Sequence, residues 1–111
     1  VTCGGLCPGE NTIIREMVVM LHNYGCRNIY GVRNGLPGIE NLDNWTVLTP
    51  HDVQDIHGKG GTVLQSGRGL PNHRRNAAVL KQKNARQFFA IGGFGTQRGV
   101  CQLVNALLDL D

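Results

Sequence analysis

Phe88-Phe89-Ala90-Ile91-Gly92-Gly93-Phe94-Gly95-Thr96 is the stretch that decides the fold. Four apolar residues in unbroken succession are the pattern of a strand covered on both faces, as in a parallel sheet. The glycines behind them force a bend, and Val100, Leu103, Val104, Leu107 and Leu108 then recur at helical spacing. The same order opens the chain. Val1-Thr2-Cys3 runs into Gly4-Gly5-Leu6-Cys7-Pro8-Gly9, and Ile13, Ile14, Met17, Val18, Met20 and Leu21 mark a helix capped by Asn11 or Thr12 and stopped at Gly25. It returns at Gly60-Gly61-Thr62-Val63-Leu64, which enters Ser66-Gly67-Arg68-Gly69 and a basic helix over residues 72–83. Between these units lie a short strand over 28–32 and, from the cap at Thr49-Pro50-His51-Asp52, a helix running to about His57. The expected fold class is α/β: an open, mostly parallel, Rossmann-like sheet with flanking helices and right-handed crossovers. Ligands of such sheets bind beyond the carboxyl ends of the strands, where the loops at 4–9, 65–69 and 92–96 are expected to meet.

At 111 residues and 41% hydrophobic content the chain makes one domain, residues 1–111, with a modest core, and is too apolar for a disordered polypeptide. No apolar run is long enough to cross a membrane, and no signal peptide is visible. Val1 is not a methionine, which reads as processing or as a piece of something longer. Cys3, Cys7, Cys26 and Cys101 lack zinc-knuckle spacing, and they read as structural or incidental thiols. His22, His51, His57 and His73 are not spaced as a ligand set and read as helix-surface or packing residues. Trp45 reads as a packing residue on a loop.

Charge is unevenly placed. Residues 1–55 hold Arg15, Arg27 and Arg33 against Glu10, Glu16, Glu40, Asp43, Asp52 and Asp55. Residues 56–108 hold Lys59, Arg68, Arg74, Arg75, Lys81, Lys83, Arg86 and Arg98 with no acid. Such a field attracts phosphates and other anions, or faces an acidic partner segment. Nucleic acid is the weaker reading, because no aromatic residue is interleaved with the bases to stack on nucleobases. Glycine loops that lead from strand to helix suit the same ligand: the backbone approaches a phosphate closely, and the helix dipole adds to the attraction.

The sequence Val1-Thr2-Cys3-Gly4-Gly5-Leu6-Cys7-Pro8-Gly9 with Asn11 and Ile14-Arg15 resembles the nucleotide-binding opening of the 6-phosphofructokinases, especially the plant- and protist-type ATP-dependent group. Tyr24-Gly25, Gly31 with Gly35, Leu48-Thr49-Pro50, Asp55-Ile56-His57, Gly60-Gly61-Thr62, Ser66, Arg68-Gly69 and Ile91-Gly92-Gly93 with Gly95-Thr96-Gln97 continue the resemblance in register. It spans the whole chain but only the first part of the family's N-terminal domain. By this resemblance Gly4 and Gly5 face the nucleotide phosphates, Arg68 stabilises the transferred phosphoryl group, and Gly92, Gly93, Gly95 and Thr96 form a second phosphate-facing loop. Glycine at 95, where pyrophosphate-dependent relatives carry aspartate, leans toward ATP. The resemblance implies ATP and Mg²⁺ as cofactors, fructose 6-phosphate as substrate of the complete enzyme, and a cytoplasmic location.

The departures are equally specific. The family's Gly-Gly-Asp-Gly-Thr loop holds Mg²⁺ through its aspartate, and here Phe94 stands in that place, with a ring expected where the metal–phosphate complex sits. Leu36 and Pro37 replace an aromatic near the base, and Gln65 and Gly67 alter the Gly-Thr-Ser-Arg loop. The Thr-Ile-Asp-Asn-Asp segment carrying the catalytic base is absent, and Asp109 and Asp111 sit too far from the glycine edge to replace it. Two functions follow: a fragment of a phosphofructokinase, inactive alone, whose partner is the rest of that polypeptide; or a degenerate, non-catalytic anion-docking subunit of a larger assembly. Residual nucleotide binding without catalysis is a third. A partner is expected over the 88–91 side.

Overall fold

The computed structural model describes residues 1–5, 8–67 and 70–110. It contains four α-helices, α1 (Glu10–Asn23), α2 (Pro50–Val53), α3 (His73–Gln82) and α4 (Phe94–Asp109), and two strands, β1 (Tyr30–Val32) and β2 (Trp45–Val47). Short 3₁₀ turns occupy Leu36–Gly38, Leu42–Asn44 and Ile56–Gly58.

The expected helices form, with shifted ends. Gly9, at φ 87°, rather than Asn11 or Thr12, precedes the first turn of α1. Asn11 is instead buried, and its side chain accepts from the Val63 amide at 2.7 Å and donates to the Lys59 carbonyl at 3.1 Å. It ties α1 to the turn at 59–63. At the other end Gly25, at φ 96°, donates to the His22 carbonyl while the Cys26 amide donates to that of Leu21. This is a Schellman stop, and it needs the left-handed backbone that glycine adopts without strain. Asn84, at φ 55°, ends α3 in the same way. Asn72 caps α3 by accepting from the Arg75 amide. The helix expected from Thr49 to His57 ends at Val53 and resumes as the 3₁₀ turn Ile56–Gly58.

The sheet departs from expectation. Its one ladder among the described residues is antiparallel, β1 with β2, pairing Tyr30 with Val47 and Val32 with Trp45. The parallel sheet is reduced to a single bridge between Thr2 and Ile91, in which Cys3 donates to the Ile91 carbonyl at 2.8 Å and Ile91 to that of Val1 at 2.9 Å. The run at 60–64 is not a strand. Gly61 and Gln65 both adopt positive φ, and the Thr62 hydroxyl accepts from the Leu64 amide, so the backbone turns before a ladder forms. What remains is one bond, from the Asn34 amide to the Leu64 carbonyl. Residues 88–91, paired along one edge only among the described residues, are not enclosed: Phe88, Ala90 and Ile91 are half-buried and Phe89 is exposed. Trp45 lies in β2, not on a loop, and packs edge-on against Tyr30 while its indole N–H donates to the Ile39 carbonyl.

Two buried clusters hold these elements. Cys3, Val32, Leu36, Ile39, Ala77, Leu80 and Leu103 pack with α3 and α4. Ile14, Val18, Ile29, Val53, Ile56 and Leu64 pack with α1 and α2. The extended segments feed both, Val32 the first and Ile29 the second, as a layer with helices on either side requires. A cavity of about 480 Å³ lies on the apolar side, between α1 and the segment 83–91.

Candidate functional site

The glycine loops converge. Gly4 and Gly5, Gly35, Gly67, and Gly92, Gly93 and Gly95 line one open cleft of about 690 Å³, a size suited to a nucleotide-sized ligand. The Thr2–Ile91 bridge holds the first and last of these loops side by side. The glycines serve two purposes. A Cβ on Gly67 would collide with the Asn34 carbonyl, and one on Gly92 with the Thr96 side chain, so these two let the walls close. At Gly5, Gly93 and Gly95 a Cβ would meet nothing, because those positions face open space. Bare backbone there leaves room for a ligand to approach.

The α4 N-terminus opens on the cleft with Gly93 at its cap and no side-chain cap bond. The Gln97 amide bonds the Gly93 carbonyl, while the amides before it have no intrahelical acceptor. Thr96, in that first turn, is 8% exposed and lines the cleft, and its hydroxyl has no hydrogen-bond partner among the described residues. Gly95, Arg98, Gly99 and Gln102 follow at helical spacing along the same wall. Across from them are Leu36, Pro37 and His73, whose Nδ1 is buried without a partner. Arg98 is the one charged side chain among the described lining residues, and no carboxylate is among them.

Of the residues singled out from sequence, Gly4, Gly5, Gly92, Gly93, Gly95 and Thr96 are brought together. Arg68 lies outside the described residues. Three contributors were missed. His73 carries no local sign of a place in the cleft, and Arg98 and Gln102 lie on the face of α4 away from its apolar stripe. The 95/98/99/102 spacing on the opposite face was the signal.

Phe94 is a correction. Its ring is 89% exposed and does not line the cleft, so it does not fill the expected metal–phosphate position. It still offers no oxygen to a hard cation. No three His, Cys, Asp or Glu side chains come together among the described residues, and the residues present do not fit Mg²⁺.

The Phosphofructokinase family model matches residues 1–110. The chain belongs to the phosphofructokinase family. It is 47% identical over 100 residues to the chloroplastic ATP-dependent 6-phosphofructokinase 4 of Arabidopsis thaliana, covering 89% of this chain and 19% of that protein. Against the ATP-dependent 6-phosphofructokinases of Entamoeba histolytica and Borreliella burgdorferi it is 46% identical over 101 residues, covering 89% and 88% of this chain and 23% of each relative. The chain thus spans about a fifth to a quarter of the length of the curated relatives it matches. No helix among its described residues is long and apolar enough to cross a membrane.

Proposed function

We propose that residues 1–110 supply one wall of the nucleotide site of an ATP-dependent 6-phosphofructokinase, the wall that receives the phosphate chain. The observation that carries this reading is the meeting of Gly5, Gly93 and Gly95, each with open space before its Cα, beside the uncapped start of α4. The relatives named above support ATP as the nucleotide. In the whole protein the Thr2–Ile91 bridge would be one rung of a longer parallel sheet, and fructose 6-phosphate and the catalytic base would come from segments beyond this chain. Alone, the chain forms no fructose 1,6-bisphosphate.

Calorimetric titration with ATP tests the reading. Binding at millimolar ligand or tighter, weakened by Gly93→Val, is the expected result; absence of heat over that range overturns it. A second reading, a non-catalytic anion-docking subunit, is favoured by the acid-free run from 56 to 108 and by Phe94. It requires that the native protein bind anions yet show no phosphoryl transfer even when complete.

A further inference from the structure

We infer that this wall holds an oligophosphate chain as the free anion, without a divalent metal ion. The inference rests on the proposed function and sharpens it. Three observations carry it. The described lining of the cleft contains no carboxylate, and its one charged side chain is Arg98. Magnesium needs oxygen ligands in near-octahedral order, and phosphate oxygens and water alone would leave it unanchored to this wall. The position at which the family's loop would offer a carboxylate is Phe94, whose ring stands in solvent rather than in the cleft, so the anion's place is unobstructed. Thr96, more than nine-tenths buried, presents a hydroxyl without a partner beside the first amides of α4, which have neither an intrahelical acceptor nor a side-chain cap. Those amides, that hydroxyl and the Arg98 guanidinium are all donors. They complement bare phosphate oxygens, and a bound cation would compete with them for the same lone pairs.

The experiment is calorimetry on the full 111-residue chain with inorganic pyrophosphate and with ATP, each in excess EDTA and in saturating Mg²⁺. The expected result is binding in EDTA that Mg²⁺ leaves equal or weaker. Equal affinity for the two ligands assigns the binding to phosphates alone, and preference for ATP adds a base contact; both support the inference. Thr96→Val should weaken both ligands in EDTA. Wild-type binding seen only with Mg²⁺ overturns the inference and leaves the proposed function standing. No binding under any condition overturns both.

Discussion

Gly67 and Gly95 look alike in the sequence and have opposite duties. A methyl group at Gly67 meets the backbone carbonyl of Asn34, which cannot swing aside as a side chain would. Gly67→Ala should destabilise the fold by about 1–3 kcal/mol, as overpacking does, read as a lower urea midpoint. Gly95→Ala meets nothing and sits in the first turn of α4, so it should leave the midpoint unchanged or raise it while weakening anion binding. A lowered midpoint for Gly95→Ala would show that this glycine serves packing instead. The two roles were not separable from the sequence, since a glycine required by a neighbour 33 residues away gives no local sign. His73 was illegible for the same reason: its place opposite α4 is set by the packing of α3 against Leu36 and Gly99.

Helix ends were more legible than strands, because capping chemistry is local. Thr49-Pro50-His51-Asp52 forms a reciprocal capping box, with the Asp52 amide donating to the Thr49 hydroxyl and the Asp52 carboxylate accepting from the Thr49 amide at 3.0 Å and hydroxyl at 2.9 Å. These bonds hold the Asp52 carboxyl below its ordinary value of 3.8, first through the hydroxyl and then through the backbone amide. A depressed carboxyl stabilises the fold above the unfolded-state value, and the contribution is lost as pH falls through the folded one. Thr49→Ala should therefore raise the Asp52 titration midpoint in carboxyl-detected NMR and lower the melting temperature at neutral pH, with the deficit closing in acid. An unchanged Asp52 midpoint would mean that the box is not formed in solution. Strand pairing depends on distant partners, so the run at 60–64 was misread. Its apolar residues do go inside, Leu64 into the α1 cluster, but Gly61 and Gln65 turn the backbone away from a ladder.

Across the whole molecule, the meeting of the glycine loops followed from bends that each lead into a helix. The extent of the sheet did not. Apolar runs announce burial without naming the neighbour that provides it, and, among the described residues, the segment 88–91 has a neighbour along one edge alone. The stripe on α4 behaves likewise: Leu103 is buried, whereas Val104 and Leu108 remain exposed. An open edge beside apolar surface invites pairing between copies. The isolated chain should accordingly self-associate with rising concentration in sedimentation velocity, and Phe89→Lys should suppress this. A strictly monomeric wild type at all concentrations would show that this edge is not adhesive.

The Thr2–Ile91 bridge also gives the chain an alternating clock. The Ile91 amide is tied to the Val1 carbonyl, whereas Ala90, one residue earlier, has no hydrogen bond among the described residues. In deuterated solvent the Ile91 proton should persist long after that of Ala90 has been replaced. Slow replacement at both positions, in a longer polypeptide or an assembly, would then report that the bare side of this segment has been covered.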